Sequence, residues 1–494
     1  MAKQKYDAIV VGAGFGGSAC AGLLAKRGLS VLLVEKNRSA GGKAMTVRKK
    51  GFTHTAWVVI SAPVVDTILQ KVLDELGMSD KAKLVSFIGK QACIYRAPSG
   101  KFTPMPPMPE DAAMDPNVIF DWLGVKTEDR EESLRCMMDI TLMPADEIAK
   151  LDNISFAEWL GRYKLPPPVI AFLLGPVADG CFVVPFDALS ASEAVRCLQD
   201  IFLRNGGLFC QGGFGKLADA YAEAVTANGG KVLMKTRTEK ILVEQGKVTG
   251  VVTDKGTFRA PIVISNAGLQ PTVLKLVGEE HFDKSYVNYV RGLMPSLGFM
   301  GTRYYLSRKV TDAPYGVIFS DRSSWTLDRW IKEAKTGNLP EDITVWFEVP
   351  DNYDPGAAPP GKQMLMTGYL CPADPEMSAR EKKAWWAKGE EILFKAFPDM
   401  TQCIESREGY SVKEVSKLTR DHVLPGQGGE CIGLAQAVGQ AGADKPSARA
   451  PIQGLFYVGC DAGGYGIGIH QATDSAVNVA DMVQKYHLMH ASSS

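Results

Sequence analysis

The chain has 494 residues, too many for one ordinary core and enough for roughly two to four domains. Apolar residues make up 46% and charged residues 22%, close to globular averages, and Lys plus Arg equals Asp plus Glu at 55 each. The balanced charge and the lack of a strongly basic run remove the electrostatic case for nucleic acid. No unbroken apolar run of about 18 residues offers a membrane-spanning helix.

The first element is Tyr6-Asp7-Ala8-Ile9-Val10-Val11, an apolar strand running into Gly12-Ala13-Gly14-Phe15-Gly16-Gly17. A strand feeding G-x-G-x-x-G and then a helix is a dinucleotide-binding turn. Gly12 makes the sharp turn, Gly14 lets a pyrophosphate approach the backbone, and Gly17 lets the helix lie close on the sheet. The helix N-terminus offers unpaired N–H groups and partial positive charge to the phosphates. The glycines interrupt the small and apolar stretch Ile9–Leu24, which therefore reads as this turn and not as a signal peptide. A second strand, Ser30–Val34, ends at Glu35, placed to accept from a ribose hydroxyl. The fingerprint alone leaves NAD and FAD open.

Asn37-Arg38-Ser39-Ala40-Gly41-Gly42-Lys43 follows the acid directly. It resembles the R-x-G-G-R segment of FAD enzymes related to amine oxidases and phytoene desaturases. In that family the glycine pair brings backbone N–H groups to the FAD diphosphate. Here Lys43 stands where Arg is usual, keeping the charge but losing the bidentate fork.

Thr67–Gly77 has helical apolar spacing at Ile68, Val72, Leu73 and Leu76. Beyond it the character changes. Proline clusters at Pro104-Met105-Pro106-Pro107-Met108-Pro109 and Pro166-Pro167-Pro168, with short helical stretches between them, read as an inserted cap. The apolar runs Val169–Leu174 and Cys181–Phe186, with 18 methionines in the chain, read as cap core or as the lining of a greasy tunnel. The Pro/Met segment reads as an extended loop, with a membrane-touching lip as the alternative.

Gln211-Gly212-Gly213-Phe214-Gly215-Lys216-Leu217 then leads a helix over Ala218–Asn228. A strand at Lys231–Met234, hairpins turning at Gly246-Lys247 and Asp254-Lys255-Gly256, and a buried strand Ile262-Val263-Ile264-Ser265 before Asn266 follow. A second insertion mixes strand-like runs such as Thr344–Val349 with an amphipathic helix, Ser378–Phe397, carrying Ser378 as N-cap and Glu381 at the capping-box position. The last piece is a strand, Gly454–Val458, then Gly459-Cys460-Asp461, then Gly463-Gly464-Tyr465-Gly466-Ile467-Gly468-Ile469-His470 running into a helix from Gln471. This second glycine turn at a helix N-terminus suits an anion or a polarised carbonyl. The ten cysteines show no metal-ligand spacing and read as reduced thiols of a cytoplasmic protein.

Segments 6–43, 211–217, 231–267 and 454–480 together resemble the phytoene desaturase-like flavoproteins of the amine oxidase superfamily. That group also holds carotene isomerases and retinol saturase. The resemblance implies an α/β fold: a Rossmann-type, glutathione-reductase-like FAD-binding domain made of 1–82, 206–283 and 418–494. It is interleaved with a mixed α+β substrate or cap domain made of 83–205 and 284–417. It implies FAD as cofactor, held by Gly12, Gly14, Phe15, Gly16, Gly17, Glu35, Lys36, Gly42, Lys43, Thr238, Asn266, Gly459, Asp461, Gly468 and Ile469. Asp461 is expected to hold a ribityl hydroxyl, and the last glycine turn to close over the flavin.

Relatives usually carry a Phe-Asp pair and a glycine where this chain has His54, Thr55 and Trp57, and carotenoid enzymes often have Pro at His470. These departures argue against a long linear carotene. Two histidines near one flavin suggest proton transfer, because His titrates near neutrality. His470 and His54, with Tyr465 beside them, are therefore the candidate catalytic groups. Packing or cofactor contact is the structural alternative for each.

The leading expectation is an FAD oxidoreductase that forms or saturates a C–C double bond of an apolar isoprenoid, lipid or polycyclic substrate. No second fingerprint supplies an NAD site, so the electron partner is external: quinone, oxygen or a redox protein. A redox-neutral isomerase of a polyene or enone using reduced flavin, and a non-catalytic lipid-binding escort protein, are the alternatives; the expected place is the cytoplasm, with peripheral membrane contact left open.

Overall fold

The computed structural model describes residues 5–87, 90–107, 115–204, 206–329, 332 and 339–491. Met108 and Pro109 of the expected proline-rich lip lie outside them.

Two bodies share the chain. The first is built on a parallel five-stranded sheet, ordered 455–457, 262–265, 8–11, 31–34 and 231–233. Every residue of Ala8–Val11, Val31–Val34 and Ile262–Ser265 is buried, as expected of parallel strands covered on both faces. The helix Phe15–Lys26 follows the glycine turn and packs on Gly215–Ala227 and Gly468–Ala491. It is almost wholly buried, which explains its run of Gly, Ala, Cys and Leu with no polar face. Gly17 permits that approach: a Cβ there would sit 1.9 Å from the Gly12 carbonyl oxygen. An antiparallel meander, Thr238–Glu244, Lys247–Thr253 and Gly256–Arg259, lies beside this sheet. Its first turn has Gln245 and Gly246 both at positive φ, the conformation a tight hairpin needs.

The second body has its own core. Its seven-stranded sheet is ordered 404–410, 298–306, 363–371, 345–348, 315–320, 92–96 and 102–104. All pairings are antiparallel except that between 315–320 and 92–96. The helix Ala379–Ala396 packs on it, capped by Ser378 with Glu381 closing the capping box. The region 116–204 is helical throughout its regular elements and includes Pro167–Leu174, a wide π-type stretch Gly175–Phe182, and Ala191–Arg204.

The last helix begins at Gly468, three residues before the expected start, so His470 lies inside its first turn. Among the described residues no helix is long and apolar enough to cross a membrane.

Candidate active site

One cavity of about 1050 Å³ runs from the glycine turn of the first body into the second. Its first half is made chiefly of backbone. Gly12 takes φ +91°, turning the chain out of its strand, and the helix begins at Phe15. The N–H groups of that first turn have no acceptor within the helix, and Gly14, Phe15 and Gly16 line the cavity. Gly41 and Gly42, also at positive φ, bring a second stretch of backbone alongside, with the Gly41 N–H on the Ala13 carbonyl at 2.8 Å. Asn266 ties the turn to the next strands. Oriented by its hydrogen bonds, its amide oxygen accepts from Gly14 N–H at 3.2 Å and its nitrogen donates to the Val458 carbonyl at 3.1 Å.

Glu35 lines this half, and both of its oxygens are engaged. Oε2 accepts from Ala13 N–H at 2.7 Å and Oε1 from Asn37 N–H at 2.8 Å. The carboxylate holds the turn, leaving only its remaining lone pairs for a hydroxyl. Asp461 is engaged more completely. It accepts from Leu269 and Leu434 N–H, both at 2.9 Å, and from Arg420 Nη1 at 2.6 Å. Burial alone would raise its carboxyl; Arg420 and the two N–H groups hold it below the usual range. Arg420, itself 6% exposed, also reaches Glu430 at 3.3 Å. Lys43 lines the same region and donates to the Ile432 carbonyl at 3.0 Å, with its ammonium lowered by burial and by Arg420. At the far end of this half, Asp421 pairs with Lys275 at 2.7 Å, Arg237 at 2.8 Å and Lys36 at 3.6 Å. Thr238 Oγ1 is buried there with no partner.

The second half is made of side chains. Val58 and Ile60 from one segment, Phe172 and Val177 from the helices, and Phe299, Val317 and Trp346 from the sheet form its walls. Trp346 lies on the backbone of the π-type stretch because Gly180 has no Cβ; one there would meet the indole at 2.1 Å. Among the described residues no Asp, Glu, Lys or Arg lines this half. The polar residues that line it include Gln91, Thr141, Cys93, Cys181, Ser61 and Tyr315. Phe202 and Leu203 line it while remaining 40% and 59% exposed, so the cavity opens beside them.

The structure brings Gly12, Gly14, Phe15, Gly16, Glu35, Lys36, Gly42, Lys43, Thr238, Asn266, Gly459, Asp461, Gly468 and Ile469 to the wall of this one cavity. Gly17 is not among them and serves packing. The three candidate catalytic groups, His54, His470 and Tyr465, are not among the residues that line this cavity. His54 is buried on the hairpin formed by Thr46–Lys49 and Phe52–Thr55, its Nδ1 on the Thr55 carbonyl, with the charges of Arg303, Glu408 and Lys49 around it. Burial lowers its pKa to about 4. His470, turned by the early helix start, packs on Gly466 with Nδ1 facing the Tyr465 carbonyl at 3.2 Å; burial lowers it too. Tyr465 is 40% exposed and lies under the Arg196 guanidinium at 5.2 Å, beside a separate small pocket. Sequence reasoning missed Arg420, Arg237 and Asp421, which follow no motif, and most of the second half of the cavity.

A family model described as flavin containing amine oxidoreductase matches residues 15–484. Among curated proteins the chain is similar to a phytoene desaturase from Neurospora crassa, 24% identical over 445 residues, covering 83% of this chain and 72% of that one. It is also similar to an all-trans-retinol 13,14-reductase from Homo sapiens, 22% identical over 513 residues, covering 93% and 82%. Among solved structures, an oxidoreductase from Methanosarcina mazei matches with a TM-score of 0.69 at 20% identity, covering 97% of this chain and 100% of that one.

Proposed function

The chain belongs to the flavin containing amine oxidoreductases and is an FAD-dependent oxidoreductase, and from that premise we propose that it forms or saturates a C–C double bond of an apolar substrate. One observation carries this reading: the charged, glycine-built half of the cavity opens without a break into a half that no charged residue lines among the described residues. An ammonium substrate buried there would have no carboxylate to pair with, and an unpaired buried charge is heavily penalised. An isoprenoid or polycyclic skeleton loses nothing by entering it, and its apolar surface is removed from water.

The residues of the first half fit FAD. The phosphates match the free N–H groups at Phe15 and Gly16, with Gly42 alongside and the helix dipole behind them. Thr238, whose buried hydroxyl has no partner in the protein, suits the adenine end, and the spare lone pairs of Glu35 suit the adenosine ribose. Asn266, Gly459, Gly468 and Ile469 suit the ribityl and flavin end. Asp461, saturated by Arg420 and backbone, acts there by holding Leu269 and Leu434 in place. When bound, FAD supplies a hydride acceptor or donor at N5 of its ring. The chain's part is to bind and orient the substrate, and its apolar walls exclude water from the reacting carbons. Electrons leave or enter through an external partner such as quinone, oxygen or a redox protein.

The test is anaerobic mixing of the holoenzyme with isoprenoid and polycyclic candidates and with amines, in the oxidised and reduced states. Bleaching or recovery of the flavin band by an isoprenoid or polycyclic compound, with a product differing by two hydrogens, is the expected result. A response to amines alone overturns the reading. An isomerised product of unchanged mass formed only by reduced enzyme points to the isomerase instead.

A further inference from the structure

The second half of the cavity is not uniformly greasy. Tyr315 and Val317, two residues apart on one strand, both face it. The Tyr315 ring packs on Phe209 at 5.4 Å, and its hydroxyl rests against Gly207, where a Cβ would come within 2.7 Å of the oxygen. No hydrogen-bond partner for that hydroxyl exists among the described residues. Tyr315 is half-buried, and a tyrosine hydroxyl set in an otherwise apolar wall usually finds a partner. The Ser61 hydroxyl, on the segment paired with Leu208 next to Gly207, is also without a partner, and Ser61 is 5% exposed. The Ser61 hydroxyl is sealed behind this stretch of wall, which leaves the Tyr315 hydroxyl as the one that faces the cavity here.

We infer that the Tyr315 hydroxyl, held against Gly207 on the cavity wall, anchors a neutral oxygen on the substrate, so that the substrate is an apolar alcohol, aldehyde or ketone and not a pure hydrocarbon. This rests on the proposal that the second half receives the substrate. The oxygen is neutral because no Lys or Arg among the described residues lines this half to balance a carboxylate or phosphate. The phenol stays protonated, raised by burial first and then by the Cys93 and Cys181 thiols that face it, so it donates as well as accepts. The anchor lies on the wall that continues through Gly206 towards the exposed Leu203. The oxygenated end therefore marks which way round an extended skeleton lies.

The experiment is equilibrium binding to the holoenzyme, read from the shift of the flavin band, with geranylgeraniol, the matching hydrocarbon and the matching carboxylic acid. The wild type is expected to bind the alcohol about tenfold tighter than the hydrocarbon, the size of one hydrogen bond to a buried group, and to bind the acid more weakly than the alcohol. Tyr315→Phe keeps the ring packing and is expected to remove the preference by weakening the alcohol while leaving the hydrocarbon unchanged. Equal binding of alcohol and hydrocarbon to the wild type overturns this inference and leaves the apolar-substrate reading standing. A preference that survives Tyr315→Phe overturns the assignment of the anchor. Failure of all three probes to bind overturns both. The wild-type comparison decides the first point even if the variant does not fold.

Discussion

The two halves of the cavity are opposites in construction. Glu35, Lys36, Lys43, Arg237, Arg420, Asp421 and Asp461 all line the first; none lines the second. The first is shaped by backbone, with glycines at positive φ and carboxylates that hold N–H groups in place. The second is shaped by side chains from helices and a sheet that come from distant parts of the chain. A half that recognises phosphates through the main chain tolerates few backbones. A half that recognises a hydrocarbon through side-chain area tolerates many sequences, and substrate identity can change there without disturbing the cofactor.

The sharpest way to break the comparison is to remove the charge that organises the first half. Arg420→Ala leaves Asp461 and Glu430, which are 5% and 0% exposed, without their cation. Breaking such a buried network is expected to cost about 3–5 kcal/mol, measured by urea denaturation of the holoprotein. Loss below about 1 kcal/mol would mean that the site takes up water and that the halves differ less than they appear to.

A second prediction concerns pH. His54 titrates at about 4 in the folded protein against 6.5 for the free side chain, so the unfolded chain binds a proton that the native one refuses. Its contribution is fully present above pH 6.5 and is lost as pH falls through about 4, amounting to about 3 kcal/mol. His54→Gln is expected to flatten the acid limb of a stability–pH curve over that window. An unchanged limb would mean that the imidazole is wetter than its burial implies.

Leu203→Asp sharpens the comparison from the other side. The residue is 59% exposed at the opening, so stability is expected to hold while affinity for apolar ligands falls by about tenfold or less. The smallest effect is expected from His470→Gln. With the ring packed outside the cavity on Gly466, kcat should stay within about twofold of wild type and the pH profile of kcat/KM should not move. A displaced profile would return His470 to the chemistry.

What was legible in the chain follows the same division. Gly12, Gly14, Gly17 and Glu35 can be read because the turn, the helix and the acid are one contiguous unit with fixed offsets. The capping box at Ser378 and Glu381 is local for the same reason. Arg420 carries no such signal: it follows a short helix, Val412–Leu418, and its partners Asp461 and Gln270 are remote in sequence. The histidines show where sequence stops, because a motif gives proximity along the chain but not the face a side chain takes. The helix starts at Gly468 and not at Gln471, which places His470 inside its first turn. Tyr315 and Trp346 gave no warning, since an aromatic on a strand reads equally well as core.

The central sheet has a consequence for how the protein is made. Ala8 finds its neighbour across the sheet at Ile262, and that strand in turn pairs with Leu455–Tyr457. At synthesis rates of about 5–20 residues per second, Ala8–Val11 and its near neighbour Val31–Val34 leave the ribosome on the order of ten seconds or more before the strand Ile262–Ser265 on its other side exists. The nucleotide-binding body therefore cannot close early in translation, and the apolar insertions emerge while its sheet is still open. The interleaving of the two bodies therefore bears on folding during synthesis as well as on the finished structure.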